Sequence, residues 1–211
     1  MFGDGALAFQ EFAMSESLPL ATVHDAVLDY LRGRDDAVLQ GAQAVNAYVD
    51  EPRMTQDVDI LALRAEEFAE DLRQFLNDRF HIAVRVRNIR DGLGYRLYQI
   101  RKPKNRHLVV VRSIDNLPPN QPIADILVLT PVELVASKVL SYHHRKGRPK
   151  AFTDLRDVAV LLLAFPELKT ASGRVRDRLE EWAQDDTLAS TWNEIVAQEI
   201  QLDDEDEEFF A

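Results

Sequence analysis

From Ile82 the apolar residues of this chain alternate with cations: Ile82, Val84 and Val86 against Arg85 and Arg87. A period of two marks a strand with one buried and one wet face, and a helix cannot satisfy it. Immediately upstream, within Arg64–Phe80, the residues Phe68, Ala69, Leu72, Phe75 and Leu76 recur at helical spacing. A chain that switches between the two periods must cover a sheet with helices. The expected fold class is therefore α/β (α+β), a mixed sheet flanked by helices.

The remaining elements follow from their end signals. A helix is expected over "TVHDAVLDYLRGR", with Thr22 as N-cap and Gly33 as its stop. "AVLQ" (Ala37–Gln40) reads as a short buried strand, followed at Gly41 by a helix to about Val49, and "DVDILAL" as the next strand. After Ile82–Ile89 come a "DGLG" turn, strands in "YRLYQIRK" and "RHLVVVRSI" joined by a "KPKN" turn, and a strand in "IADILVL". "TPVE" then opens a helix. Thr130 is expected to cap it, Pro131 to take its first position, and Glu133 to close a capping box. Further helices are expected from about Thr153 to Phe165, Arg174 to Ala183 and Leu188 to Ile200, with Trp182 and Trp192 as packing anchors. The division expected is a loose extension over 1–17, an α/β core over 18–129, a helical part over 130–201 and an acidic disordered tail over 202–211.

Charge is unevenly spread. The net charge is −11, yet six consecutive acids, Asp203 to Glu208, sit in the tail. Arg85 to Arg112 holds nine cations (Arg85, Arg87, Arg90, Arg96, Arg101, Lys102, Lys104, Arg106, Arg112) against the single acid Asp91, and "HHRKGRPK" is a second basic group. A concentrated basic face on an acidic chain suits nucleotide or RNA binding, or else is a solvated sheet face. There is no cysteine, which excludes disulfides and thiolate metal sites and fits a reducing cytoplasm. The longest apolar run, Val158 to Phe165, is too short to cross a bilayer, so no membrane is expected.

Asp57 and Asp59 are the residues that point to chemistry. Positions i and i+2 on a strand share a face, so two carboxylates project side by side. Like charges this close repel, and a divalent cation such as Mg²⁺ or Mn²⁺ resolves the conflict while also holding phosphate oxygens. Gly41 stands where a strand gives way to a helix, which lets a phosphate approach the backbone. Arg53 and Thr55 can add a cation and a hydroxyl. The plainer alternative is that the two aspartates pair with Arg53 or Arg64. His143 and His144 have no third ligand at helical spacing and read as solvated or stacking residues.

This arrangement resembles the nucleotidyltransferase superfamily with the polymerase-beta-like core. The spelling "GAQAVNAY…PRMTQDVDIL" looks closest to the AbiEii-like toxin branch. A second segment strengthens the resemblance: Pro131, Glu133, Leu134 and Lys138, then a basic linker, then Asp154 and Asp157. The resemblance implies that Gly41 and Ala42 contact nucleotide phosphates with Arg53 and Thr55 nearby, and that Asp57 and Asp59 bind Mg²⁺. It implies that Lys138 approaches the triphosphate, and that Asp154 orients or deprotonates an acceptor hydroxyl. Lys138 has a second reading, an ion pair with Asp154 or Asp157 across a helical hairpin. The implied reaction moves NMP from an NTP to an RNA end or a protein hydroxyl, in the setting of a toxin-antitoxin or phage-defence system with a cognate antitoxin as partner. Related folds carry a third carboxylate on a later strand, near Val110, where this chain has Val109, Val110 and Val111; Asp125 is the candidate substitute. The alternative that follows is a catalytically degenerate binding or regulatory protein.

Overall fold

The computed structural model describes residues 18–89, 92–183 and 185–200. The extension over 1–17 and the acidic tail over 202–211 lie outside them. Seven strands form one mixed sheet in the order β3-β4-β5-β2-β1-β7-β6. The strands are β1 (Ala37–Gln40), β2 (Val58–Ala62), β3 (Val84–Ile89), β4 (Gly94–Gln99), β5 (Arg106–Ser113), β6 (Asn120–Ile123) and β7 (Ile126–Leu129). The helices are α1 (Leu20–Leu31), α2 (Gly41–Asn46), α3 (Ala65–Phe80), α4 (Pro131–Arg145), α5 (Pro149–Ala164), α6 (Arg174–Trp182) and α7 (Asp186–Ala197).

The sheet centre is β5-β2-β1. β2 runs parallel to β5 and antiparallel to β1, and β7 runs parallel to β1. The β-branched run Val109–Val111 fits this position, because a central strand needs apolar, stiff side chains on its pleat. One face of β2 to β5 carries Val58, Ile60, Val84, Leu97, Val109 and Val111, all buried. α3 lies on that face through Phe68, Leu72 and Leu76, each 2 % exposed or less. Full burial of such a side chain contributes roughly 1.5–3 kcal/mol, so this layer fixes the register. The opposite face carries Asp59, Val110, Arg96 and Arg87, which follow one another across four neighbouring strands by pairing.

Several local expectations need correction. α1 begins at Leu20 after Pro19, so Thr22 lies inside it and is not its cap. Its end at Gly33 is as expected, with φ +70 there. Thr130 precedes α4 in extended conformation but makes no side-chain cap bond, and no capping box forms. Glu133 instead turns inward, 3 % exposed, and its Oε1 lies 2.8 Å from Arg178 Nε on α6. The long-range ion pair thus takes the side chain that the local motif would use. The run "IADILVL" is broken by Ala124 and Asp125, both at positive φ, which fold β6 back onto β7. Aspartate tolerates the left-handed region better than most residues, and that was the turn signal. α5 starts at Pro149, before Thr153. Trp192 is fully buried as an anchor, whereas Trp182 is 38 % exposed and lies under the Arg178 guanidinium at 4.9 Å.

Candidate functional site

The site starts from a glycine. Gly41 opens α2 with φ +73, and a Cβ placed on it would stand 2.5 Å from Asp59 Oδ2 and 2.9 Å from Asp59 Cβ. Only glycine permits both the backbone angle and the approach. The β1–β2 register explains the contact, since Gln40, the residue before Gly41, pairs with Asp59. The Asp59 carboxylate is therefore pressed against the strand-to-helix turn.

Asp57 sits just before the first residue of β2, and its carbonyl accepts a hydrogen bond from Thr55 Oγ1 at 2.9 Å. The loop ahead of it is fixed by Asn46. The Asn46 side chain donates to the Arg53 carbonyl at 2.9 Å and accepts from the Arg53 amide at 3.1 Å. Among the described residues neither the Asp57 nor the Asp59 carboxylate has a salt bridge, and Arg53 and Arg64 are engaged elsewhere. Burial first, and then the neighbouring Asp57 charge, push the Asp59 carboxyl above its ordinary range, against the pull of Arg112, Lys138 and Lys150. Among the described residues, two close carboxylates without a salt-bridged cation form an anionic site within the field of Arg112, Lys138 and Lys150.

A second cluster supports it from the helical side. Asp157 is fully buried on α5 and takes two hydrogen bonds from Arg53, Nε to Oδ1 and Nη2 to Oδ2, each 2.7 Å. Its Oδ2 also lies 2.7 Å from Lys138 Nζ on α4. Asp154, one turn earlier, accepts from Arg145 Nη1 at 2.6 Å, and its Oδ1 is 3.7 Å from Lys138 Nζ. Burial alone would raise the Asp157 carboxyl, but the Arg53 hydrogen bonds and the Lys138 charge outweigh it and hold it below the usual range. Bidentate Arg–carboxylate pairing of this kind fixes orientation as well as charge. Arg53 is therefore a strut between the loop before Asp57 and α5, and Lys138 is held across the α4–α5 hairpin.

The structure thus brings Gly41, Asp57, Asp59 and Lys138 to one place, with Ala42 8 % exposed in the first turn of α2. It brings Arg53, Lys138 and Asp154 into the adjoining network. It does not bring Asp125. β7 is parallel to β1 with Val128 opposite Leu39, so Asp125 lies about four residues, roughly 13 Å, from the end of the sheet that holds Asp59. Val110 pairs directly with Asp59 and is 7 % exposed, so it does occupy the place beside the carboxylates. Asn46, Arg96, Arg112 and Lys150 were not legible as site residues. Their roles depend on strand pairing and helix packing, which no local spacing encodes.

The residues present fit one hard divalent cation. Mg²⁺ is commonly held by one or two carboxylates together with substrate phosphates. Two mutually repelling carboxylates without a salt bridge among the described residues meet that description. No group of three or more His, Cys, Asp or Glu able to hold a metal occurs among the described residues.

No curated protein sequence matches the chain. Among solved structures, JHP933 from Helicobacter pylori is similar at 14 % identity and TM-score 0.56, over 92 % of this chain and 82 % of that one. A further H. pylori structure, described as a candidate nucleotidyltransferase, gives 14 % identity and TM-score 0.58 over 86 % and 83 %. The Megavirus polyadenylate synthase gives 14 % identity and TM-score 0.54 over 70 % of this chain; the match spans only 32 % of that enzyme. These likenesses concern the fold. A family profile described as "Nucleotidyl transferase AbiEii toxin, Type IV TA system" matches residues 26–210, and the chain therefore belongs to the AbiEii nucleotidyltransferase toxin family.

Proposed function

We propose that this protein transfers a nucleoside monophosphate from an NTP to a hydroxyl on an RNA end or a protein, with Mg²⁺ or Mn²⁺ held at Asp57 and Asp59. The observation that supports it most is the Asp59 carboxylate, packed against Gly41, repelled by Asp57 and, among the described residues, left without a salt-bridge partner. When bound, the metal would supply charge stabilisation for the phosphoryl oxygens and the leaving pyrophosphate. Asp57 and Asp59 would hold it. Gly41 and Ala42 present the α2 backbone to the phosphates, and Thr55 and Arg53 shape the loop beside them. Lys138 and Lys150 face the same charge. The acceptor oxygen forms a bond to the α-phosphorus as the bond to the β-phosphate oxygen breaks, and pyrophosphate leaves with that electron pair. Asp154 is 3 % exposed and both its oxygens face cations. It positions Lys138, and for it to take the acceptor's proton Arg145 must turn away.

The pairing of Val110 with Asp59 favours a second reading, a nucleotide-binding protein with little transfer activity. Fewer anionic ligands weaken metal retention, so Mg²⁺ would arrive with the nucleotide. Incubation with each α-labelled NTP, Mg²⁺ and total RNA or protein separates the readings. Label incorporated by the parent and lost in Asp57→Asn/Asp59→Asn supports transfer. Nucleotide binding without incorporation supports the second reading. The family description also leads us to propose a cognate antitoxin as partner. No helix among the described residues is long and apolar enough to cross a membrane. The family description leads us to propose a cytoplasmic location.

A further inference from the structure

We propose that the open face of β3, β4 and β5 is the track for the acceptor, and that it takes a single-stranded nucleic-acid end. This rests on the transfer reading only in naming the bound strand an acceptor.

The argument begins with strand pairing. Asp59 pairs with Val110, Val110 with Arg96, and Arg96 with Arg87. Paired residues share a face, so one row leads from the carboxylates to the edge strand β3. At about 4.8 Å per strand, the Arg96 backbone lies roughly 10 Å from that of Asp59, and that of Arg87 roughly 14 Å. Val110 gives the row an apolar, uncharged floor next to the site.

The same face holds a groove of ≈ 420 Å³ lined by Arg87, Asn88, Ile89, Arg96, Tyr98, Asn105 and His107. No acid lines it. Neither Arg87 nor Arg96 forms a salt bridge among the described residues, and the Arg96 Nε–H is buried without an acceptor. A donor in that condition, beside a second unpaired guanidinium, calls for an anionic ligand. The register shift between Leu97 and Tyr98 sets His107 opposite Tyr98, where a regular ladder would set Leu108. Bulges commonly re-aim a side chain in this way. Guanidinium groups alternating with a phenol ring and an imidazole suit a strand with both phosphates and flat bases. An acidic peptide would use the cations but not the rings.

The groove also lies on the side of Asp59 away from Gly41. Gly41 touches Asp59 from the β1 side, whereas Arg96 and Arg87 lie across β5. A triphosphate at the α2 turn and a strand end in the groove would thus approach the carboxylates from opposite sides, as an attacking and a leaving oxygen must.

The test uses the full chain and fluorescence polarisation of a labelled short single-stranded oligoribonucleotide, without NTP or Mg²⁺. Arg96→Ala and Arg87→Ala should each weaken binding about tenfold and lower the slope of log affinity against log salt by about one. Arg87 is exposed, so its variant tests the idea even if Arg96→Ala folds poorly. Asp57→Asn/Asp59→Asn should bind the oligonucleotide at least as well as the parent, even if no NTP is ever transferred. Unchanged affinity in both arginine variants would overturn the proposal. So would an oligoglutamate peptide that binds as tightly and depends equally on the two arginines, since it would assign the groove to an acidic protein.

Discussion

Gly41 and Asp59 form a pair in which one side chain exists because the other does not. With φ +73 and a prospective Cβ 2.5 Å from a carboxylate oxygen, Gly41→Ala must either distort α2 or displace Asp59. Strain of this kind amounts to roughly 1–3 kcal/mol. The variant should lose about that much stability by thermal or urea unfolding, and its Mg²⁺-dependent nucleotide binding should fall disproportionately. The opposite outcome is expected at Asp59 itself. Its carboxyl is pushed above the ordinary range by burial and then by Asp57, so the charge works against the folded state. Asp57→Asn/Asp59→Asn should keep the fold and unfold at a higher temperature than the metal-free parent. An unfolded double variant would show that the aspartates are structural. Val110→Asp tests the neighbouring strand position. It places a third carboxylate next to Asp59 and should tighten Mn²⁺ binding in the absence of nucleotide, measured by calorimetry.

At the scale of elements, the hairpin of α4 and α5 supports the sheet site through Asp157. Removing one partner of a buried ion pair typically costs about 3–5 kcal/mol, because the others stay buried without compensation. Asp157→Asn should therefore destabilise strongly at neutral pH and loosen Arg53 and Lys138 together. The pH dependence follows from the sign of the shift. The folded carboxyl lies below its ordinary range. Its stabilisation is present above the ordinary carboxylate range and is lost as pH falls through the depressed folded value. The gap between Asp157→Asn and parent should therefore narrow in acid; a gap constant with pH would show that the pair is not the cause. These elements also mark what the sequence could and could not show. The strands of the core, α3 and the existence of the α4–α5 pair were readable, because each has a clear hydrophobic period or a proline-marked start. β6 was missed because its Asn-Gln-Pro-Ile sequence has no apolar alternation and is specified by pairing with β7. The capping box failed for a similar reason, since Glu133 has a stronger partner on α6. Arg96 looked like one cation among nine. Its place in line with Asp59 comes from a register that spans three strand pairs.

For the whole molecule, the sheet divides the work. One face is closed by α1 and α3 and supplies stability. The other leaves Asp59 between the α2 turn with the α4–α5 cluster on one side and the basic groove of β3 to β5 on the other. We infer that Asp57 and Asp59 hold a divalent cation only together with a nucleotide's phosphates. Thermal unfolding with each of the four NTPs, with and without Mg²⁺, tests it most directly. A ligand at about a hundred times its Kd stabilises by about 2.7 kcal/mol, which for a chain of this size raises the midpoint by about 5–10 °C. Such a rise is expected for at least one NTP with Mg²⁺, with little change without Mg²⁺ and none in Asp57→Asn/Asp59→Asn. A rise of equal size without Mg²⁺, or one that persists in the double variant, would contradict it.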